Sequence, residues 1–286
     1  MPTFKQVAIA AHPKLPEARA EAVKIAAFFE ANGIRAVHGW MNEETLTGGA
    51  RAGAFDMWIA LGGDGTMLRS GHLCGPHGIP ILGINMGNVG FLTGVQRGEW
   101  PDMLAKLLDG DYWLEPRMML QAEQYRNGDC LGRWHVLNEA MVGRGHYMRP
   151  VRLVTSVDGS YLTTYVADGL IAATPTGSTA YALAAGGPVL PPDLRNILIV
   201  PVAPHLSFDR PIVLAEGSFV SIEVHTHHTA ILSPDGQPPA TLEDGDQVEV
   251  RASEHTVHFV RLQDLGYFYH NLTSHMNLNF SPGANA

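Results

Sequence analysis

A change of rhythm near residue 114 constrains this chain more than any other feature of its sequence. Before it, short apolar runs alternate with segments of helical periodicity. Val7-Ala8-Ile9-Ala10 reads as a buried strand. Residues 16–31 read as a helix: Pro16 and Glu17 suit its start, Asn32-Gly33 its end, and Ala18, Ala22, Ile25 and Phe29 recur on one face. Strands are expected at 34–40, 57–61 and 80–84, and helices at 66–73 and 100–108. Alternation of this kind implies a parallel sheet covered on both faces, with ligands at the C-terminal strand ends.

After residue 114 the pattern becomes β-rich. Segments 151–157 and 161–166 flank Asp158-Gly159, a hairpin signal. Val220, Ile222 and Val224 alternate with polar residues, and 248–251 and 256–260 read as two further strands. The expected architecture is therefore an α/β domain over residues 1–114 and a β-rich, sandwich-like domain over 115–264. Residues 265–286 form a tail, with an amphipathic helix over 267–278 and a disordered end over 281–286.

Composition excludes several classes of function. A formal net charge of −9 without a basic run argues against a nucleic-acid partner. The start lacks a signal-peptide pattern and no apolar run is long enough to span a bilayer, so a soluble, cytoplasmic protein with no membrane partner is expected. Cys74 and Cys130 fit no metal-ligand spacing and read as reduced thiols.

Leu61-Gly62-Gly63-Asp64-Gly65-Thr66 follows a strand and opens a helix. Its glycines allow close approach of a ligand, and a helix start presents free N–H groups to an anion. Asp64 would repel phosphate unless it bound a metal or handled the proton of an attacking hydroxyl. The plain alternative is a tight turn with Asp64 as a helix cap. The next strand ends in Asn85-Met86-Gly87-Asn88-Val89-Gly90, so two strand ends line one crevice, or this is an ordinary connecting loop.

Asn138-Glu139 follows a strand expected at 134–137. It suits ribose hydroxyls or a base edge, or is a solvated strand end. More unusual is Asp168-Gly169 running through an apolar strand into Thr174-Pro175-Thr176-Gly177-Ser178-Thr179-Ala180-Tyr181. A small-residue helix is expected over 178–185. Its hydroxyls would cap the helix or meet a ligand, and Tyr181 offers a ring for stacking. A hydroxyl-rich turn with no ligand is the alternative.

In this order and spacing, these motifs resemble those of the bacterial NAD kinases over nearly the whole chain. The Gly-Gly-Asp-Gly-Thr turn alone is shared with diacylglycerol kinases, sphingosine kinases and phosphofructokinases; the Thr-Pro-Thr-Gly-Ser-Thr-Ala-Tyr segment separates NAD kinases from them. The resemblance implies transfer of the γ-phosphoryl group of ATP to the 2′-hydroxyl of the adenosine ribose of NAD, giving NADP. It also implies NAD between the two domains, the tail returning to the first domain, and a homodimer or homotetramer.

By the same resemblance Asp64 is the proton acceptor. Gly62, Gly63, Asp64, Gly65, Thr66 and Asn85 belong to the nucleotide site. So do Asn138, Glu139, Asp168, Thr176, Ser178, Thr179, Ala180, Tyr181, Ala182, Leu183 and Ala184, with Arg149 and Gln237 near further contact positions. A divalent metal cation, magnesium, is implied as a companion of the donor phosphates rather than by any metal site in the sequence. Many family members carry a basic residue two positions before the Asp-Gly; here it is Val166.

His225, His227 and His228 read as a solvated strand face rather than a metal site, Glu243-Asp244-Gly245-Asp246 as a turn, and Tyr267-Phe268-Tyr269 as packing. The rival readings are a lipid or sugar kinase sharing the first turn, and a nucleotide-binding regulator without turnover.

Overall fold

The computed structural model describes residues 4–87, 90–146, 149–205, 208–270 and 272. The chain divides into two compact units: residues 1–116 with 256–286, and residues 117–255. It passes from one to the other within two long strands, Trp113–Arg126 and Gln247–Arg261.

The first unit holds a parallel sheet in the order Arg35–Trp40, Gln6–Ala11, Met57–Gly62, Ile81–Asn85. Phe259 pairs in parallel with Ile81 beyond it. The inner strands Gln6–Ala11, Met57–Gly62 and Ile81–Asn85 are almost wholly buried, as apolar runs in a sheet covered on both faces must be. Helix Pro16–Ala31 begins with proline in its first turn and buries Ala18, Ala22, Ile25 and Phe29. It is followed by Gly33 at φ +76°, where the chain turns left-handed.

Two elements depart from the sequence reading. Helix Glu44–Arg51 was not expected, because Gly48 and Gly49 oppose a helix on propensity. Tertiary packing decides otherwise: a Cβ on Gly49 would lie 2.6 Å from the Phe55 ring. The next helix starts at Asp64 rather than Thr66, running Asp64–Cys74, so Asp64 is its first residue.

The second unit is antiparallel. Ser160–Ala167, Val151–Val157, Val220–His225 and the strand from Gln247 lie side by side. The expected hairpin turns at Asp158-Gly159 with φ +51° and +76°. A six-stranded sheet runs Ile212–Ala215, Asn196–Val202, Gly169–Ala173, Glu139–Arg144, Ala230–Pro234, Ala240–Leu242. One apolar core takes side chains from both sets of strands, including Leu153, Tyr165, Ile222, Val250, Val142, Leu170 and Ile199. This is the expected sandwich-like arrangement.

Where two strands were expected near 248–260, one continuous strand forms. The residues between the two expected strands do not interrupt it: Ser253 is buried and its hydroxyl contacts His135 at 3.2 Å. Tyr267 to His270 are helical, with Tyr267 buried and Tyr269 exposed. Asn88, Val89, the remainder of the expected tail helix and the terminal 281–286 lie outside the described residues. No helix among the described residues is long and apolar enough to cross a membrane.

Candidate active site

In the first unit the glycine turn and the second loop meet. Gly62 pairs with Asn85 across adjacent parallel strands, and the Met86 N–H donates to the Gly62 carbonyl at 3.3 Å. Both sequence motifs thus end side by side. Gly63 caps helix Asp64–Cys74, and Thr66 is buried over Gly62, where a Cβ would overlap its side chain. Asn85 is buried and its amide oxygen accepts from Gly87 N at 3.0 Å, tightening the second loop.

Asp64 is held from that loop. Oδ2 accepts from Phe91 N at 2.9 Å and Oδ1 from Leu92 N at 3.0 Å. Each carboxylate oxygen keeps a further lone pair. The Leu92 carbonyl in turn accepts from Nη1 of buried Arg261 at 2.9 Å, and Arg261 Nε pairs with Glu115 at 2.8 Å. Tyr267 donates to the same Glu115 carboxylate at 2.9 Å. Gly65 is exposed beside Asp64 at the helix start.

In the second unit Asn138 and Glu139 lie at one end of the strand pair Glu139–Arg144 and Gly169–Ala173. The hydroxyl-rich segment lies at the same end. Thr174 N donates to the Asn138 carbonyl at 2.8 Å, and Thr174 Oγ1 donates to the Leu137 carbonyl at 2.6 Å. A Cβ on Gly177 would come within 2.8 Å of Asn138 Cα.

The expected single helix over 178–185 is instead a 3₁₀ turn, Thr176–Thr179, followed by the short helix Tyr181–Ala184, with the backbone turning at Ala180. The hydroxyls brace this bend. Buried Ser178 donates to the Pro175 carbonyl at 2.7 Å and accepts from Leu190 N at 2.9 Å. Thr176 accepts from Arg117 at 3.1 Å, and Thr179 donates to the Thr176 carbonyl at 3.2 Å. Ala182 is buried, Leu183 half-buried, and Tyr181 and Ala184 are exposed.

Asp168 sits at the opposite end of that strand pair, ion-paired to Arg144 at 3.0 Å. The five steps from Glu139 to Arg144 span roughly 17 Å at about 3.4 Å per residue. Val166 lies directly opposite Arg152 on the neighbouring strand, so a guanidinium stands across from the position that lacks its own. Arg149 lines a cleft of about 620 Å³ with Arg152, His225, His227 and Asp244. His225 pairs with Glu223 at 3.1 Å. Among the described residues no group of three or more His, Cys, Asp or Glu is placed to hold a metal ion.

Asp235 was not singled out by sequence reasoning, yet it binds the Asn138-Glu139 pair. Its Oδ1 accepts from Asn138 N and Glu139 N, both at 2.8 Å, and its Oδ2 from Leu137 N at 2.6 Å. Gln237 closes the same turn, donating its N–H to the Pro234 carbonyl at 2.9 Å. Burial, followed by the charge of Asp235, pushes the Glu139 carboxyl up to about 8 against the pull of the Tyr181 N–H.

The family model described as the ATP-NAD kinase N-terminal domain matches residues 7–112, and that of the C-terminal domain matches residues 137–262. The chain belongs to the ATP-NAD kinase family. NAD kinase of Polaromonas naphthalenivorans is 43% identical over 213 residues, covering 74% of this chain and 73% of that protein. NAD kinase of Syntrophotalea carbinolica is 40% identical, with 79% and 80% covered. That of Dehalococcoides mccartyi is 36% identical over 96% and 97%. Yeast NADH kinase complexed with NADH superposes with a TM-score of 0.86 at 25% identity, covering 98% of this chain and 89% of that one. As an NAD kinase, the chain is a phosphotransferase that catalyses ATP-dependent formation of NADP. Membership sets aside the lipid and sugar kinase reading, and the activity sets aside a regulator without turnover.

Proposed function

We propose that Asp64 accepts the proton of the adenosine 2′-hydroxyl of NAD as the γ-phosphoryl group of ATP moves to that oxygen. The observation that carries this is the pinning of both Asp64 oxygens by Phe91 N and Leu92 N. A carboxylate so held does not turn away from its target, and one lone pair on each oxygen remains for a hydroxyl. Phosphoryl transfer has a loose transition state, so positioning supplies most of the catalysis. A carboxylate in this place orients the ribose hydroxyl and takes its proton late in the step, as the new P–O bond forms.

In this reading Gly62, Gly63, Gly65, Thr66 and Asn85 shape the phosphate side, with the helix start facing the anion. Asn138, Glu139 and Gln237 hold the ribose side. Tyr181 supplies its exposed ring for stacking, and Ala180 and Ala182 keep the bend small enough for close approach. Ser178 acts through the bend it braces. The Asp168–Arg144 pair and, separately, Arg149 beside Arg152 are contacts that a long dinucleotide or a neighbouring copy in a homodimer or homotetramer would reach. The divalent metal, magnesium, arrives on the triphosphate as part of the substrate. The protein works in the cytoplasm.

The test is formation of NADP from NAD, ATP and magnesium, read with an NADP-specific dehydrogenase. Asp64→Asn is expected to lower kcat by at least ~10²-fold, in the range of general-base catalysis, with NAD binding kept. Wild-type kcat in that variant would remove Asp64 from the role.

A further inference from the structure

Asp235 stands on a tight turn, with φ +47° at Asp235 and +64° at Gly236. Three consecutive N–H groups, those of Leu137, Asn138 and Glu139, converge on its carboxylate, while its own N–H donates to the Glu139 carbonyl at 2.9 Å. Three converging N–H groups form a concavity that favours an anion. The Asp235 carboxylate is thus engaged by backbone donors on both oxygens, and it stands next to a second carboxyl group, that of Glu139.

The two carboxyls are treated differently. Every oxygen of Asp235 meets a donor. Among the described residues, Glu139 Oε2 is buried without a hydrogen-bond partner. A buried carboxylate oxygen left bare is costly, whereas a carboxylic acid O–H at that place is a donor awaiting an acceptor.

We propose that Asp235 is a positioning residue that orients the Asn138-Glu139 pair and keeps Glu139 a carboxylic acid, so that Glu139 donates a hydrogen bond to the dinucleotide. The inference rests on the reading that Glu139 faces NAD. The groups bearing on Glu139 are the Asp235 carboxylate, from the turn after Ala230–Pro234, and the Tyr181 N–H, from helix Tyr181–Ala184. The strand paired with it places uncharged Ala173 opposite. Burial and the Asp235 charge together raise the Glu139 carboxyl to about 8, so the acid form holds at neutral pH. Above that pH the donor becomes a carboxylate facing an anionic ligand.

Asp235→Asn separates charge from shape. Asparagine also tolerates positive φ, and its one carbonyl oxygen still serves Asn138 N and Glu139 N. Glu139→Gln preserves a neutral donor. The measurements are the ¹³C carboxyl titration of Glu139, assigned with Glu139→Gln, and the pH profiles of KM for NAD and of kcat.

Wild type is expected to show a Glu139 midpoint near 8, with KM rising above it. Glu139→Gln, which has no carboxyl to ionise, is expected to lose that rise. Asp235→Asn is expected to bring the midpoint down and KM up by ~10-fold at pH 7.5, with kcat changed less. An unchanged midpoint in Asp235→Asn overturns the proposal. So does a rise of KM above pH 8 that persists in Glu139→Gln. A loss of kcat and melting temperature matching that of Asp235→Gly, without a shifted profile, reduces Asp235 to a structural part and also overturns it. Glu139→Ala with wild-type KM would overturn the underlying reading of Glu139 as an NAD contact, whatever the titration shows.

Discussion

The Asp64 carboxylate lies in the space that a side chain on Gly90 would need: a Cβ there falls 2.6 Å from Asp64 Cγ. Gly90→Ala therefore displaces the carboxylate or the loop that supplies its two N–H donors. A misplacement near 1 Å costs on the order of 10²-fold in rate. Steady-state kinetics of this variant should show kcat down by about that factor with KM for NAD little changed. Unaltered kcat would mean that the Asp64 position is not critical.

The buried Arg261–Glu115 pair supports the same loop through the Leu92 carbonyl. Removing one member of a buried pair strands the other charge, a loss of roughly 3–5 kcal/mol. Arg261→Met should lower the melting temperature by about 10 °C, taking roughly 2–4 °C per kcal/mol at this size. Adding Glu115→Leu should recover much of that loss, because no charge is then left bare. A double variant no more stable than Arg261→Met would contradict this account.

Asp246 contributes to the acid limb of stability. Burial works to raise its carboxyl, but Arg126, the Glu243 N–H and Gln124 outweigh burial and hold it below the usual range. The stabilisation is thus present above the ordinary aspartate value and is lost as pH falls through the depressed one. Denaturant unfolding from pH 6 to pH 2 should show a shallower decline for Asp246→Asn, which starts lower. Parallel curves would dissociate Asp246 from acid unfolding.

Glu139 has the opposite sign. Its folded carboxyl is raised to about 8, so the folded chain holds a proton that the unfolded chain releases in the ordinary glutamate range. Stability from this group is full below that range and declines as pH rises toward 8. Glu139→Gln should gain stability over wild type at pH 8.5 and none at pH 4. Equal differences at both values would contradict the raised carboxyl.

The alternating rhythm and the first glycine turn were legible because their signals are local: an apolar run, three glycines and a helix start. The antiparallel hairpin at Asp158-Gly159 was legible for the same reason. Helix Glu44–Arg51 was not, because its glycines oppose it locally and only Phe55 explains Gly49. Asp235 reads as turn chemistry and nothing more, since its partners lie 96 to 98 residues away in sequence. Gly90 and Arg261 are likewise defined by contacts across the fold. The hydroxyls of the Thr-Pro-Thr-Gly-Ser-Thr segment were visible, but the internal bonds of Ser178 appear only once Leu190 is beside it.

Phe259 adds its strand to a sheet begun by residue 6, and Arg261 reaches the carbonyl of Leu92. On the ribosome, the glycine turn emerges long before either partner exists. The loop gripping Asp64 gains its buried support only after the whole intervening β-rich unit has been synthesised. A nascent chain stopped before residue 256 carries every residue of the glycine motif and lacks the brace behind it, so catalytic competence is among the last properties this polypeptide acquires.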